Sequence, residues 1–234
     1  MVTIPAQFNG PDHSGNGGYV CGLLATQLPS DTPVTATLHM PPPLDTPLAW
    51  ERSGEEVRLE SHGGTIIGRA SRGGFDRAAL PSPDAKRVAC GLANYAGHHH
   101  HPFDRCFTCG PAREEGEGLR IFSGEVSAGW TAAPWDPHPA MAVDGVMPTP
   151  VVWAALDCPG GWAADFCSQP MVLGRMTAQV FAPVPAGQRL HASGRLDDRR
   201  GRKFYTSTAL HTPQGEVVGR SEQIWFEIDP ARFG

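Results

Sequence analysis

Three groups of residues in this 234-residue chain have types and spacings suited to chemistry. Asp157 follows the apolar run Val151-Val152-Trp153-Ala154-Ala155-Leu156, and at that place a carboxylate is either a functional acid or an ordinary helix charge. The segment Ser14-Gly15-Asn16-Gly17-Gly18 leads into a second apolar stretch, with Ser14 or Asn16 fitted to cap a helix there. His13 lies in the same polar, glycine-rich loop and is a further candidate to touch a ligand, as is Asn16. The third group is His98 to His101 with Cys106 and Cys109. Those side chains suit zinc, but a second Cys-x-x-Cys or a spaced His pair is missing, so no metal is expected and the histidines read as solvated linker. The chain has no Gly-x-Ser-x-Gly elbow, which speaks against a serine α/β-hydrolase. It has no Gly-x-Gly-x-x-Gly and no phosphate loop either, and no cofactor is expected.

Two helices would carry the first two groups. One runs from Tyr19 to Leu28 after the glycines; the other runs from Val151 to about Cys167, with Thr149 as cap, Pro150 at its first position and a kink at Pro159. Each helix precedes a similar strand. Val34-Thr35-Ala36-Thr37-Leu38 and Met176-Thr177-Ala178-Gln179-Val180 share a Thr-Ala pair at an offset of 142 residues, and each runs into a proline-rich corner. Two more strands follow in each copy. Val57 to Glu60 and Thr65 to Ala70 flank a turn at His62-Gly63-Gly64, while Lys203 to His211 and Val217 to Ile228 flank one at Pro213-Gln214-Gly215. One helix followed by antiparallel strands, twice over, is an α+β pattern and not alternating βαβ. The expected organisation is an N-terminal unit over 1–88, a linker over 89–105 and a C-terminal unit over 106–234. The second unit opens with Cys106-Phe107-Thr108-Cys109-Gly110, then Gly118 to Phe122 as its first strand.

A helix wrapped by an antiparallel sheet, opened by Cys-Phe-x-Cys-Gly and then Gly-Leu, resembles the hot-dog acyl-CoA thioesterase superfamily, with its phenylacetyl-CoA thioesterase-like branch the nearest. The resemblance covers Cys106 to Asp229 well and roughly Asn9 to Ser71 more loosely. It implies a double hot-dog, two sheets side by side with each helix enclosed. The family opens its helix with His-Gly-Gly and places Asp or Glu about two turns later. Glycines let a thioester carbonyl approach unpaired N–H groups at the positive end of the helix dipole, which makes an oxyanion site. The carboxylate activates water or attacks directly. Here the first copy has Asn16-Gly17-Gly18 in place of His-Gly-Gly, and Ala25 at the acidic position. The second has Asp157 at the acidic position, but Pro148-Thr149-Pro150 at the helix start. The resemblance implies sites shared between units. One would join Gly17 or Gly18 to Asp157, with Asn16 and His13 beside them; the other would join Pro150 to Ala25 and be dead. His62-Gly63-Gly64 spells the family tripeptide but belongs to a hairpin turn.

The expected function is therefore hydrolysis of an acyl-CoA thioester at one composite site, with Arg175, Arg195, Arg199, Arg200, Arg202 and Lys203 as candidates for the CoA phosphates. The alternatives are a non-catalytic acyl-CoA binding protein, favoured by the incomplete motifs, and a hot-dog hydratase, for which Asp12-His13 offers little. A net charge of −5 gives no reason to expect nucleic acid. No run of 18 apolar residues is present, so no membrane span is expected. The N-terminus lacks a basic stretch followed by an apolar run, so the six cysteines are expected reduced in the cytoplasm. A homodimer of the chain is expected from the way such units assemble.

Overall fold

The computed structural model of the protein describes residues 1–229; residues 230–234 of the expected C-terminal unit lie outside the described residues. Among the described residues, ten antiparallel strands form one continuous sheet. In chain order they are β1 (Val34–Leu38), β2 (Ala49–Ser53), β3 (Glu56–Glu60), β4 (Ile66–Arg72), β5 (Gly124–Ser127), β6 (Trp130–Trp135), β7 (Met171–Val180), β8 (Leu190–Arg200), β9 (Lys203–His211) and β10 (Val217–Glu227). Their spatial order is β2-β3-β4-β1-β7-β10-β9-β8-β6-β5. The two expected sheets are thus fused. The two Thr-Ala strands make the seam, because β1 pairs with β7 and Thr35 stands opposite Thr177. Their hydroxyls are 2.7 Å apart. A residue facing its own repeat equivalent marks a local two-fold axis between the halves.

Among the described residues, three α-helices pack on this sheet: α1 (Gly17–Ala25), α2 (Ala85–Ala93) and α3 (Thr149–Ala163). α3 is buried at 14 of its 15 positions, which is why its sequence has no polar face. Its carbonyls are taken by side chains from around it. Thr108 donates to Ala154, Thr208 to Leu156, the Gln223 amide to Leu156 and Asp157, and Thr131 to Pro159. The helix runs on through Pro159, inside this shell of donors. Among the described residues no helix is long and apolar enough to cross a membrane.

Several expected boundaries move. α1 starts two residues earlier than Tyr19 and ends at Ala25, short of Leu28. α3 ends at Ala163, and Pro148 takes the capping place expected of Thr149, with no side-chain bond. Gly118 to Phe122 is not a strand: Arg120 adopts φ 52°, which breaks an extended run, and the first strand of that half is β5. α2 begins inside the expected N-terminal unit and runs into the expected linker, and it packs on β5 and β6. The turns at Gly63, Gly64 and Gly215 have positive φ, as hairpin glycines do.

His191 of β8 stands opposite His211 of β9, and both are buried. Burial pushes the His211 imidazole below its ordinary value, a contact with the Leu80 backbone offsets this in part, and His191 adds repulsion. The unfolded chain therefore takes up a proton near pH ~6.5 that the folded chain refuses, so stability falls as pH drops below that value. Compared with the unmutated protein, His211→Gln should gain stability in thermal melts at about pH 5.5 and gain little at about pH 7.5, because the variant lacks the proton that the buried imidazole refuses.

Candidate active site

The start of α1 is fixed from three sides. The Asn16 side chain accepts the Tyr19 N–H at 2.9 Å, and the Asn16 N–H donates to the Phe8 carbonyl at 2.7 Å. Its amide nitrogen points to Thr108 Oγ1 at 3.3 Å and to Cys106 Sγ at 3.8 Å. Thr108 in turn bonds the Ala154 carbonyl of α3 at 2.9 Å. Asn16 is 1% exposed, so it serves chiefly as a buried cap and tie.

Asp157 of α3 meets this helix start across the junction of the two halves. Its Oδ2 accepts the Gly18 N–H at 2.9 Å, while Oδ1 has no hydrogen-bond partner among the described residues. The approach is possible only because residue 18 lacks a side chain. A Cβ there would lie 2.5 Å from Asp157 Cβ and 2.7 Å from the Trp153 carbonyl oxygen. One turn on, a Cβ at Gly22 would lie 2.6 Å from Pro150 Cα. Burial raises the Asp157 carboxyl to about 8; the Gly18 N–H pulls it down, the Cys106 thiol pushes it up, and Asn16 gives a smaller downward pull. The acid is 2% exposed and poised to hold or accept a proton near neutral pH.

Asp157, Asn16 and Gly17 line a cavity of about 310 Å³ between the halves. Its apolar wall comes from Leu38, Met40, Met171, Leu173 and Phe226, contributed by both repeats. Gly17 is the first residue of α1, so its N–H has no acceptor within the helix and lies at the positive end of the dipole. The two glycines thus differ: Gly18 gives its N–H to the acid, and Gly17 lines the cavity beside it. His13 is exposed and is not part of the cavity wall. His39 and Phe166, which the sequence did not single out, are part of it, as is Ser14, expected there only as a cap. At the pseudo-equivalent helix start, Pro150 is buried against Gly22.

Beside the acid lies a sulfur cluster. Cys106, Cys109 and Cys158 are buried, with their three Sγ atoms all within 4.8 Å of one another. His98 to His100 are exposed, but His101 is partly buried with Nε2 3.3 Å from Cys109 Sγ, so it is not solvated linker. Of the arginines considered for phosphates, Arg195, Arg199 and Arg200 pair with Asp197, Glu227 and Asp198.

No known protein-family profile matches the chain, and no curated protein matches it in sequence. Solved structures do match. A conserved protein of unknown function with a hot-dog fold from Alicyclobacillus acidocaldarius is 13% identical, covers 96% of this chain and 91% of its own, and superposes with a TM-score of 0.61. The TesB protein of Mycobacterium avium subspecies paratuberculosis is 14% identical, covers 97% and 91%, and gives 0.61. A protein provisionally assigned as thioesterase II from Thermobifida fusca is 14% identical, covers 97% and 91%, and gives 0.60. At such identities the likeness is one of fold: this chain is a double hot-dog.

A methyl group at residue 18 would have to force α1 and α3 apart. Gly18→Ala should cost about 1–3 kcal/mol of unfolding free energy in urea titrations, as overpacked contacts do. Gly74→Ala, where a Cβ would meet nothing within 4 Å, should leave stability unchanged.

Proposed function

We propose that the protein hydrolyses an acyl thioester, with coenzyme A as the natural carrier, at one composite site per chain. The observation that carries this reading is the Gly18 N–H to Asp157 Oδ2 contact at the wall of an apolar cavity, with the Gly17 N–H left over. The acyl group would lie against Leu38, Met171 and Leu173, and its carbonyl oxygen would face the Gly17 N–H. The Asp157 carboxylate takes a proton from water while the water oxygen attacks the carbonyl carbon. Negative charge gathers on the carbonyl oxygen, where the Gly17 N–H and the α1 dipole receive it. Collapse breaks the C–S bond and the thiolate leaves, taking up the proton. At about 310 Å³ the cavity is near the lower end of the usual range of roughly 300–1,000 Å³, which favours a short or aromatic acyl group over a long chain. The thioesterase names carried by structural neighbours support the same chemistry.

The check is turnover of a panel of short-chain and aryl acyl-CoAs, read by release of free thiol. Asp157→Asn should lower kcat by at least ~100-fold, the usual scale of a lost general base, while a non-hydrolysed thioether analogue still binds. Asp165→Asn, outside the cavity, should keep full turnover. Analogue binding with no acyl-CoA hydrolysed would make this an acyl-CoA binding protein, and full activity in Asp157→Asn would remove the acid from the mechanism.

A further inference from the structure

We propose that Cys106, Cys109 and Cys158 together bind one thiophilic d¹⁰ cation, zinc, as a three-thiolate site beside the cavity. The inference does not depend on the thioester reading.

The three Sγ atoms lie within 4.8 Å of one another, close enough to share one ion. Cys106 Sγ and Cys158 Sγ are 3.7 Å apart. Two corners of a tetrahedron with Zn–S bonds of ~2.3 Å are separated by about 3.8 Å. The Cys106–Cys109 segment is built for the purpose as a tight turn. Gly110 N–H bonds the Cys106 carbonyl at 2.8 Å, and a Cβ at Gly110 would lie 2.6 Å from both the nitrogen and the oxygen of Cys106. Cys158 comes from the far side, on the buried α3.

Thiolates in such sites need N–H donors, and several are in place. The Asn16 amide points at Cys106 Sγ from 3.8 Å. His101 Nδ1 accepts the Phe103 N–H at 2.9 Å, which puts the ring proton on Nε2, 3.3 Å from Cys109 Sγ. His101 therefore supports Cys109 from behind as a donor, as partners of metal ligands commonly do, and is not itself a ligand. A non-protein ligand completes the tetrahedron. Cys106 and Cys158 also line the cavity, so the open corner is within reach of it. Thiolate ligands with a coordination number of four select zinc over magnesium or calcium. Binding displaces the three thiol protons and changes no oxidation state.

The test uses the whole chain, purified reduced. Elemental analysis should give about one zinc per chain, and X-ray absorption at the zinc edge should show three sulfur neighbours at ~2.3 Å. Cobalt(II) loading should produce sulfur-to-metal charge-transfer bands. Cys106→Ala and Cys158→Ala should abolish them, while Cys90→Ser and Cys167→Ser keep them. His101→Gln should weaken binding by roughly 10–100-fold with the sulfur count unchanged. The edge spectrum of the unmutated protein decides the matter even if the alanine variants fail to fold. A reduced chain that takes up no stoichiometric zinc or cobalt overturns the proposal, as does bound metal without three sulfur neighbours.

Discussion

The structure turns on one close contact, the meeting of α1 and α3 at Gly18 and Asp157. A carboxyl group buried to 2% exposure is costly unless something compensates it, and here a helix-terminal N–H does so. The same contact sets how near the two helices lie, so the spacing of the halves and the environment of the acid are one variable. Asn16, Thr108 and the Ala154 carbonyl repeat the tie a few ångströms away, which leaves the helix start little freedom to shift. The cavity inherits its shape from that rigidity, since its walls are strand and helix residues from both repeats.

The sheet provides the second constraint. Because Thr35 faces Thr177, the halves are related by an axis through the β1–β7 seam, and α1 and α3 pack on each other across it. Symmetry would place two equivalent clefts in the molecule. The residues break it. One helix begins with two glycines, the other with Pro148-Thr149-Pro150; one carries Asp157, the other Ala25 at the corresponding step. The wrapping of α3 by β8, β9 and β10 is also much fuller than that of α1, in keeping with the longer strands of that half.

Strands β1, β3, β4, β7, β9 and β10 were readable from the sequence because β-branched runs and Pro/Gly turns are local signals, and the 142-residue offset is a comparison of the chain with itself; β2, β5, β6 and β8 were given no range there. The meeting of Asp157 with the Gly17-Gly18 start was legible only through the family resemblance, since nothing local links residues so far apart. What the sequence concealed is equally physical. α2 looked like linker because its small residues, Gly91 among them, suit close packing on β5 and β6 and not a broad apolar face. The Arg120 break depends on a positive φ at a residue type that gives no warning of it. The sulfur cluster was half visible as Cys-x-x-Cys, but its third member stands 52 residues from Cys106, a spacing no local pattern carries.

The seam at Thr35 and Thr177 has a bearing on descent. A symmetric pair of identical units would have two working clefts, and damage to one motif would strike both. Once two such units share a chain, each can lose a different half of the machinery at no cost, provided the losses are complementary. After that the route back is closed. Under the proposed function, neither half separated from the other would rebuild the cleft by pairing with its own copy, because one lacks the acid and the other the glycines.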